Sequence, residues 1–199
     1  MKQKILLKGP FLSQSGYGEQ ARFALRALRS REDIFDIYLV PIGWGHTGWV
    51  SLDNEERSWI DEKIKKTHAF TQQNGIFDVS VQVTIPNEFE SIATVNIGYT
   101  AGIETTKVAP EWLEKSNAMD KIIVVSNHSK QVFEQTSYEA KSGPTSDSKK
   151  LSLTSPIEVV NYPVRRFKKK KINLNLDYDF NYLAISQWGP RKNFDNLIN

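Results

Sequence analysis

Arg191 and Lys192 come just before a helical pattern that opens at Asn193, so two cations and free helix-start amides converge where a diphosphate could be held. Stabilising a departing diphosphate is what group transfer from a nucleotide-activated donor requires. The bland reading is a solvated Arg-Lys pair. A second candidate anion site is Ser13-Gln14-Ser15-Gly16-Tyr17-Gly18, where Gly16 and Gly18 would let the backbone approach a ligand closely. It is not a complete G-x-G-x-x-G, because Arg22 and Phe23 follow where the third glycine belongs, and Glu19 adds a negative charge. A structural turn is the competing reading. Glu104, in the polar stretch after an apolar run, could hold a substrate hydroxyl, line a cleft, or be merely solvated. Trp44, His46 and Trp49 stand among glycines, and aromatic faces with an imidazole suit the stacking of a sugar, although single aromatics commonly pack into cores. His46, His68 and His128 lack metal-ligand spacing and no H-E-x-x-H run occurs, so a metal-independent site is expected.

Positioning these residues requires strands that alternate with helices. Lys4 to Lys8 reads as a first strand, and from Glu19 to Ser30 Ala21, Ala24, Leu25 and Leu28 recur at helical spacing with Arg22, Arg26 and Arg29 outward. Asp36 to Ile42 reads as a second strand, Asp53 to Lys66 as a charged helix, and Phe77 to Ile85 and Ala93 to Thr100 as two further strands. Lys121 to Ser126 has the near-continuous apolar character of a strand buried on both faces, with His128 to Tyr138 as its helix. Ala140 to Pro156 has no periodicity and reads as a surface loop, Ile157 to Val160 resumes a strand, and Tyr182 to Ile185 opens another. The implied fold is α/β, a Rossmann-like doubly wound and mainly parallel sheet.

Composition narrows the classes further. Hydrophobic residues at 39% and charged residues at 25% describe a folded globular chain, no apolar run approaches the roughly 20 residues of a membrane span, and zero cysteines exclude disulfide and thiolate chemistry. The apolar core Ile5-Leu6-Leu7 is too short for a signal peptide, so the cytoplasm is the expected compartment. Six of the 26 cations fall in Arg165, Arg166 and Lys168 to Lys171, and the remaining 20 face 23 anions. A nucleic-acid partner is therefore not expected. The basic run is instead a candidate contact with the inner face of an anionic membrane, against the reading of a solvated linker.

The stretch Gly98 to Phe133, GYTAGIETTKVAPEWLEKSNAMDKIIVVSNHSKQVF, resembles the family 4 glycosyltransferases of the GT-B fold. There a strand ends in a Thr and an acidic residue, a Pro-x-Trp helix follows, and an Asp-led strand ends in a helix-starting Ser; the matching positions are Thr100, Glu104, Pro110, Trp112, Asp120 and Ser126. Tyr182 to Ile198, YLAISQWGPRKNFDNLI, is similar to the first strand, loop and helix of that family's C-terminal domain. The resemblance implies an acceptor-side N-terminal domain over 1–164, a basic linker over 165–181 and the start of a donor-binding domain over 182–199. It assigns donor diphosphate binding to Lys192, with Arg191 beside it, and the SGYGEQAR run occupies the expected place of the glycine loop. It implies a nucleotide-sugar donor, no cofactor, and a saccharide or lipid-linked acceptor. Ser186-Gln187 stands where the family carries a further Arg, and the family's pair of Glu residues would lie beyond Asn199. Two other classes remain open: a non-enzymatic Rossmann-like binding domain, and a sugar-nucleotide epimerase or dehydrogenase. The second is disfavoured, because no Tyr-x-x-x-Lys pair occurs and Pro41-Ile42-Gly43 replaces an acidic ribose ligand.

Overall fold

The sheet strands form where apolar runs can be covered, and three of the helices start where a small polar side chain, Ser15, Asn54 or Ser126, caps them, while a fourth starts at Pro110 without a side-chain cap. The computed structural model describes residues 2–140, 149–164, 166–186 and 189–198. It divides into two units, Met1–Pro163 and Val164–Asn199.

In the first unit β1 (Gln3–Gly9) buries Ile5, Leu6 and Leu7 together, as a strand covered on both faces must. The helix α1 (Gly16–Arg29) starts three residues before the Glu19 that the apolar period marks, because Ser15 caps it: its Oγ accepts from the Gly18 amide at 3.0 Å. Then come β2 (Phe35–Pro41) and α2 (Glu55–Gln72), which runs past Lys66 and is capped by Asn54. A bidentate Arg26–Glu56 pair at 2.7 and 2.9 Å ties α1 to α2. The strands β3 (Val79–Val83), β4 (Val95–Thr100) and β5 (Lys121–Val124) follow, with α3 (Pro110–Asn117) between the last two. Ser126 caps α4 (Asn127–Gln135).

The segment expected as one loop, Ala140 to Pro156, instead contributes to a small antiparallel hairpin, β6 (Ser137–Ala140) with β7 (Lys149–Ser152), and only 153–156 lie outside a strand between β7 and β8 (Ile157–Val159). Residues 141–148 lie outside the described ones. Six strands pair in parallel in the order β2-β1-β3-β4-β5-β8. This is a Rossmann-like doubly wound sheet.

One face packs Leu7, Leu39, Val83 and Tyr99 with Ala21 and Leu25 of α1 and Ile60 of α2. The other packs Ile122, Val124 and Ile157 with Leu113 of α3 and Val132 and Phe133 of α4. Between β3 and β4 the crossover contains only a 3-10 turn at Pro86–Glu88, so polar side chains take over the covering. Gln82 and Asn96 are buried beneath it; Gln82 accepts the Glu90 amide at 3.0 Å, and Asn96 those of Ile92 and Ala93 at 2.9 and 3.0 Å. Phe89 lies on Gly98, where a Cβ would collide with its ring.

The second unit contains a 3-10 turn at Pro190–Lys192 and a helix, α5 (Phe194–Ile198). The strand expected at Tyr182 to Ile185 does not form. Tyr182, Leu183 and Ile185 are exposed, and no strand stands beside them among the described residues of this unit. A strand without a neighbour has neither ladder partners nor cover for its apolar face.

Candidate functional site

A cleft of about 570 Å³ opens at the carboxyl ends of β4 and β5. Its floor is the turn after β4, in which Gly102 takes φ +85°, a left-handed conformation that favours glycine. Space demands glycine as well: a Cβ there would collide with Ser129 Oγ of α4. That close approach places Ile103, Glu104 and Thr105 opposite Val125, Ser126 and Ser129.

Tyr17 from α1 and Tyr162 from the segment after β8 complete the wall. The Ala101 amide donates to Tyr17 Oη at 3.2 Å, and the Tyr17 and Thr100 hydroxyls share a hydrogen bond of 2.9 Å. Tyr162 donates to Gln20 Oε1 at 3.3 Å, and Asn161 Nδ2 donates to the Val125 carbonyl at 2.9 Å, anchoring the segment beside β5. Burial raises the Tyr17 phenol above its ordinary value. It also pushes Tyr162 up to about 12, with smaller contributions from Tyr17 and Tyr99. Both phenols stay neutral through the physiological range. Neutral hydroxyls, two aromatic rings and a carboxylate can hydrogen-bond and stack a polyhydroxylated ring.

Of the residues singled out by sequence, Glu104 lines this cleft. Trp44 lies one ring away, its indole 4.3 Å from the Tyr17 ring between centroids. His46 is exposed, and Trp49 is 57% exposed on a loop laced to the first loop through a Ser13–Trp49 bridge and a Val50 amide to Leu12 carbonyl bond of 2.7 Å. Gly16 and Gly18 have different roles. Gly16 is exposed with open space where a Cβ would stand, whereas a Cβ on buried Gly18 would land on the Ser13 carbonyl oxygen. The Gly18 amide is already taken by Ser15. Glu19, which looked adverse to an anion site, pairs with Arg22 at 2.8 Å. The Arg22 side chain is not outward: it is 13% exposed, and its guanidinium donates to the carbonyls of Phe11 and Ser13 at 3.0 and 2.8 Å.

Lys192 is exposed in the second unit, its amide bonded to the Gly189 carbonyl at 3.0 Å; the Arg191 side chain lies outside the described residues, as does Arg165. Two aspartates of that unit escaped the sequence reading, Asp177 and Asp179, which form an Asp-x-Asp pair of the kind that can bind a divalent ion. They are exposed, and no group of three or more metal-ligating side chains occurs among the described residues. Tyr17, Tyr162, Gly102 and Ser129 were likewise missed. Only Ser126, recognisable as a helix-capping type before an apolar pattern, carried a local signal.

Fold and cleft together define a doubly wound α/β domain with a ligand-sized opening at its carboxyl edge. No family model, curated protein or solved structure matches the chain.

Proposed function

We propose that this chain is the acceptor-side domain of a GT-B glycosyltransferase, transferring a sugar from a nucleotide-sugar donor to a saccharide or lipid-linked acceptor, with retention and without a metal ion. The observation that supports it most is the position of Glu104. Of the six positions that carry the resemblance to family 4 glycosyltransferases, Glu104 and Ser126 line the cleft, and Thr100 lies directly behind it, bonded to Tyr17 of its wall. In this reading Glu104 holds an acceptor hydroxyl and Trp44, His46 and Trp49 extend the acceptor surface. Gly16 approaches the donor from the start of α1, while the diphosphate is held mainly by Lys192 and Arg191 in a domain beginning near Tyr182. The exposed cations Arg166 and Lys168 to Lys171, with Arg165, hold the enzyme at an anionic membrane surface, each contributing about 1 kcal/mol.

The test is enzymatic. The complete product of the coding sequence is incubated with a panel of nucleotide sugars and saccharide acceptors, following nucleotide diphosphate release. Turnover that falls at least tenfold in Glu104→Ala supports the reading. Saccharide binding without turnover on any donor would favour a non-enzymatic binding domain instead.

A further inference from the structure

We propose that residues 168–180 form an antiparallel two-stranded ribbon with the same residues of a second copy of the chain. The segment, KKKKINLNLDYDF, alternates as a strand with one covered face does. Ile172, Leu174, Leu176, Tyr178 and Phe180 fall on one face, and Lys171, Asn173, Asn175, Asp177 and Asp179 on the other. In the single chain that apolar set stands in solvent, between 55% and 77% exposed. Local turns take the place of a strand: Asn175 stands at φ 44°, and its amide donates to Asn173 Oδ1 at 3.4 Å. Asparagine enters and leaves the left-handed region at small cost, so a partner strand can straighten the segment and satisfy its backbone.

Charge decides the partner. The segment is basic at its start and acidic toward its end, so an antiparallel copy sets unlike charges together, whereas a parallel copy would set like against like. With Leu174 opposite its own copy, Lys171 faces Asp177 and Lys169 faces Asp179, and two-fold symmetry gives each pair twice. The same register puts Ile172 opposite Leu176, and Lys168 and Lys170 opposite the rings of Phe180 and Tyr178, an arrangement that suits cation–π contact. Moving one strand by two residues either way keeps only one kind of Lys–Asp pair. Moving it by one sets the apolar residues of each strand against the polar residues of the other. Lys168 and Lys170 keep their charge on the apolar face, so the ribbon adds to the membrane contact proposed above and does not replace it. Two strands alone are marginal in water, so the dimer is expected to be weak, with a Kd on the order of 100 μM.

The 199-residue chain is followed by sedimentation velocity at concentrations spanning that Kd, in low and in high salt. A dimer fraction that rises with concentration and a Kd that weakens several-fold between about 0.1 M and 1 M salt are expected. The double variants Lys169→Asp/Lys171→Asp and Asp177→Lys/Asp179→Lys each oppose like charges and should be monomeric. An equimolar mixture of the two should associate again, because the exchanged charges complement each other across the strand pair. All four positions are exposed, so both variants are expected to fold, and recovery in the mixture shows that they have. A monomer at every concentration would overturn the proposal. So would association that survives in either variant alone, or a mixture that stays monomeric.

Discussion

Two loops at the carboxyl edge of the same sheet have opposite fates. Strand order reverses at β1, which has β2 on one side and β3 on the other, and doubly wound sheets commonly bind ligands in the crevice at such a point. Here that crevice is filled by the chain itself. Phe11 and Leu12 of the loop after β1 are buried in the core, Arg22 pins the loop from below, and Gly18 lets the Ser13 carbonyl press against α1. Two strands away, the glycine after β4 does the reverse: Gly102 draws the loop against Ser129 and leaves space beyond it. A glycine-rich loop before a helix is thus no sign of an open site until the atom occupying the missing Cβ's space is known.

The sharpest way to break this contrast is Gly18→Val. Its side chain must displace backbone rather than a flexible side chain, so a loss of about 3 kcal/mol or more is expected, read by urea denaturation. Wild-type-like stability would mean that the first loop is not packed as described. Gln82→Leu, beneath the non-helical crossover, should cost about 2 kcal/mol by leaving the Glu90 amide without its acceptor. A smaller loss there would show that the crossover is held by Phe89 on Gly98 alone.

The cleft side is probed by alkali. Tyr162 and Tyr38 are each raised from about 10 to about 12, and Tyr17 is raised as well. Folded values above the unfolded one mean that the native state holds its phenol protons more tightly, so this stability is complete below about pH 10 and is lost as pH rises toward about 12. Tyr162→Phe should remove part of that loss and move alkaline unfolding upward, followed by tyrosinate absorbance. An unchanged alkaline midpoint would place the Tyr162 phenol in solvent rather than in the cleft wall.

The fold was largely legible because parallel strands covered on both faces show as apolar runs. Ile5 to Leu7 and Ile122 to Val124 announce themselves whatever surrounds them. Apolarity alone did not suffice at Tyr182 to Ile185, where no neighbouring strand completes a ladder among the described residues of the second unit. The site was legible only where its residues are local, as at Glu104 and Ser126. Tyr17 and Tyr162 come from opposite ends of the first unit, and no sequence window contains both. Gly102 was visible as a letter, but its need for glycine comes from Ser129, which only the packing of α4 supplies.

The smallest expected effect completes the comparison. Gly16→Ala places a methyl group where nothing stands within 4 Å, at the first position of α1 beside the Ser15 cap. Alanine restricts the unfolded chain more than glycine does and favours the helix, but the first turn makes few helical hydrogen bonds, so the gain should be a few tenths of a kcal/mol at most. Stability should be unchanged or slightly higher by urea denaturation. Because the methyl points into open space, the bulkier Gly16→Val should preserve the fold while weakening donor binding by the complete enzyme, measured by calorimetry. That pairing separates the two glycines cleanly: one substitution acts on folding, the other on a ligand. If Gly16→Ala destabilises as much as Gly18→Ala, the first glycine is packed too. Neither would then remain to approach a donor, and the phosphate would have to be held by the second unit alone.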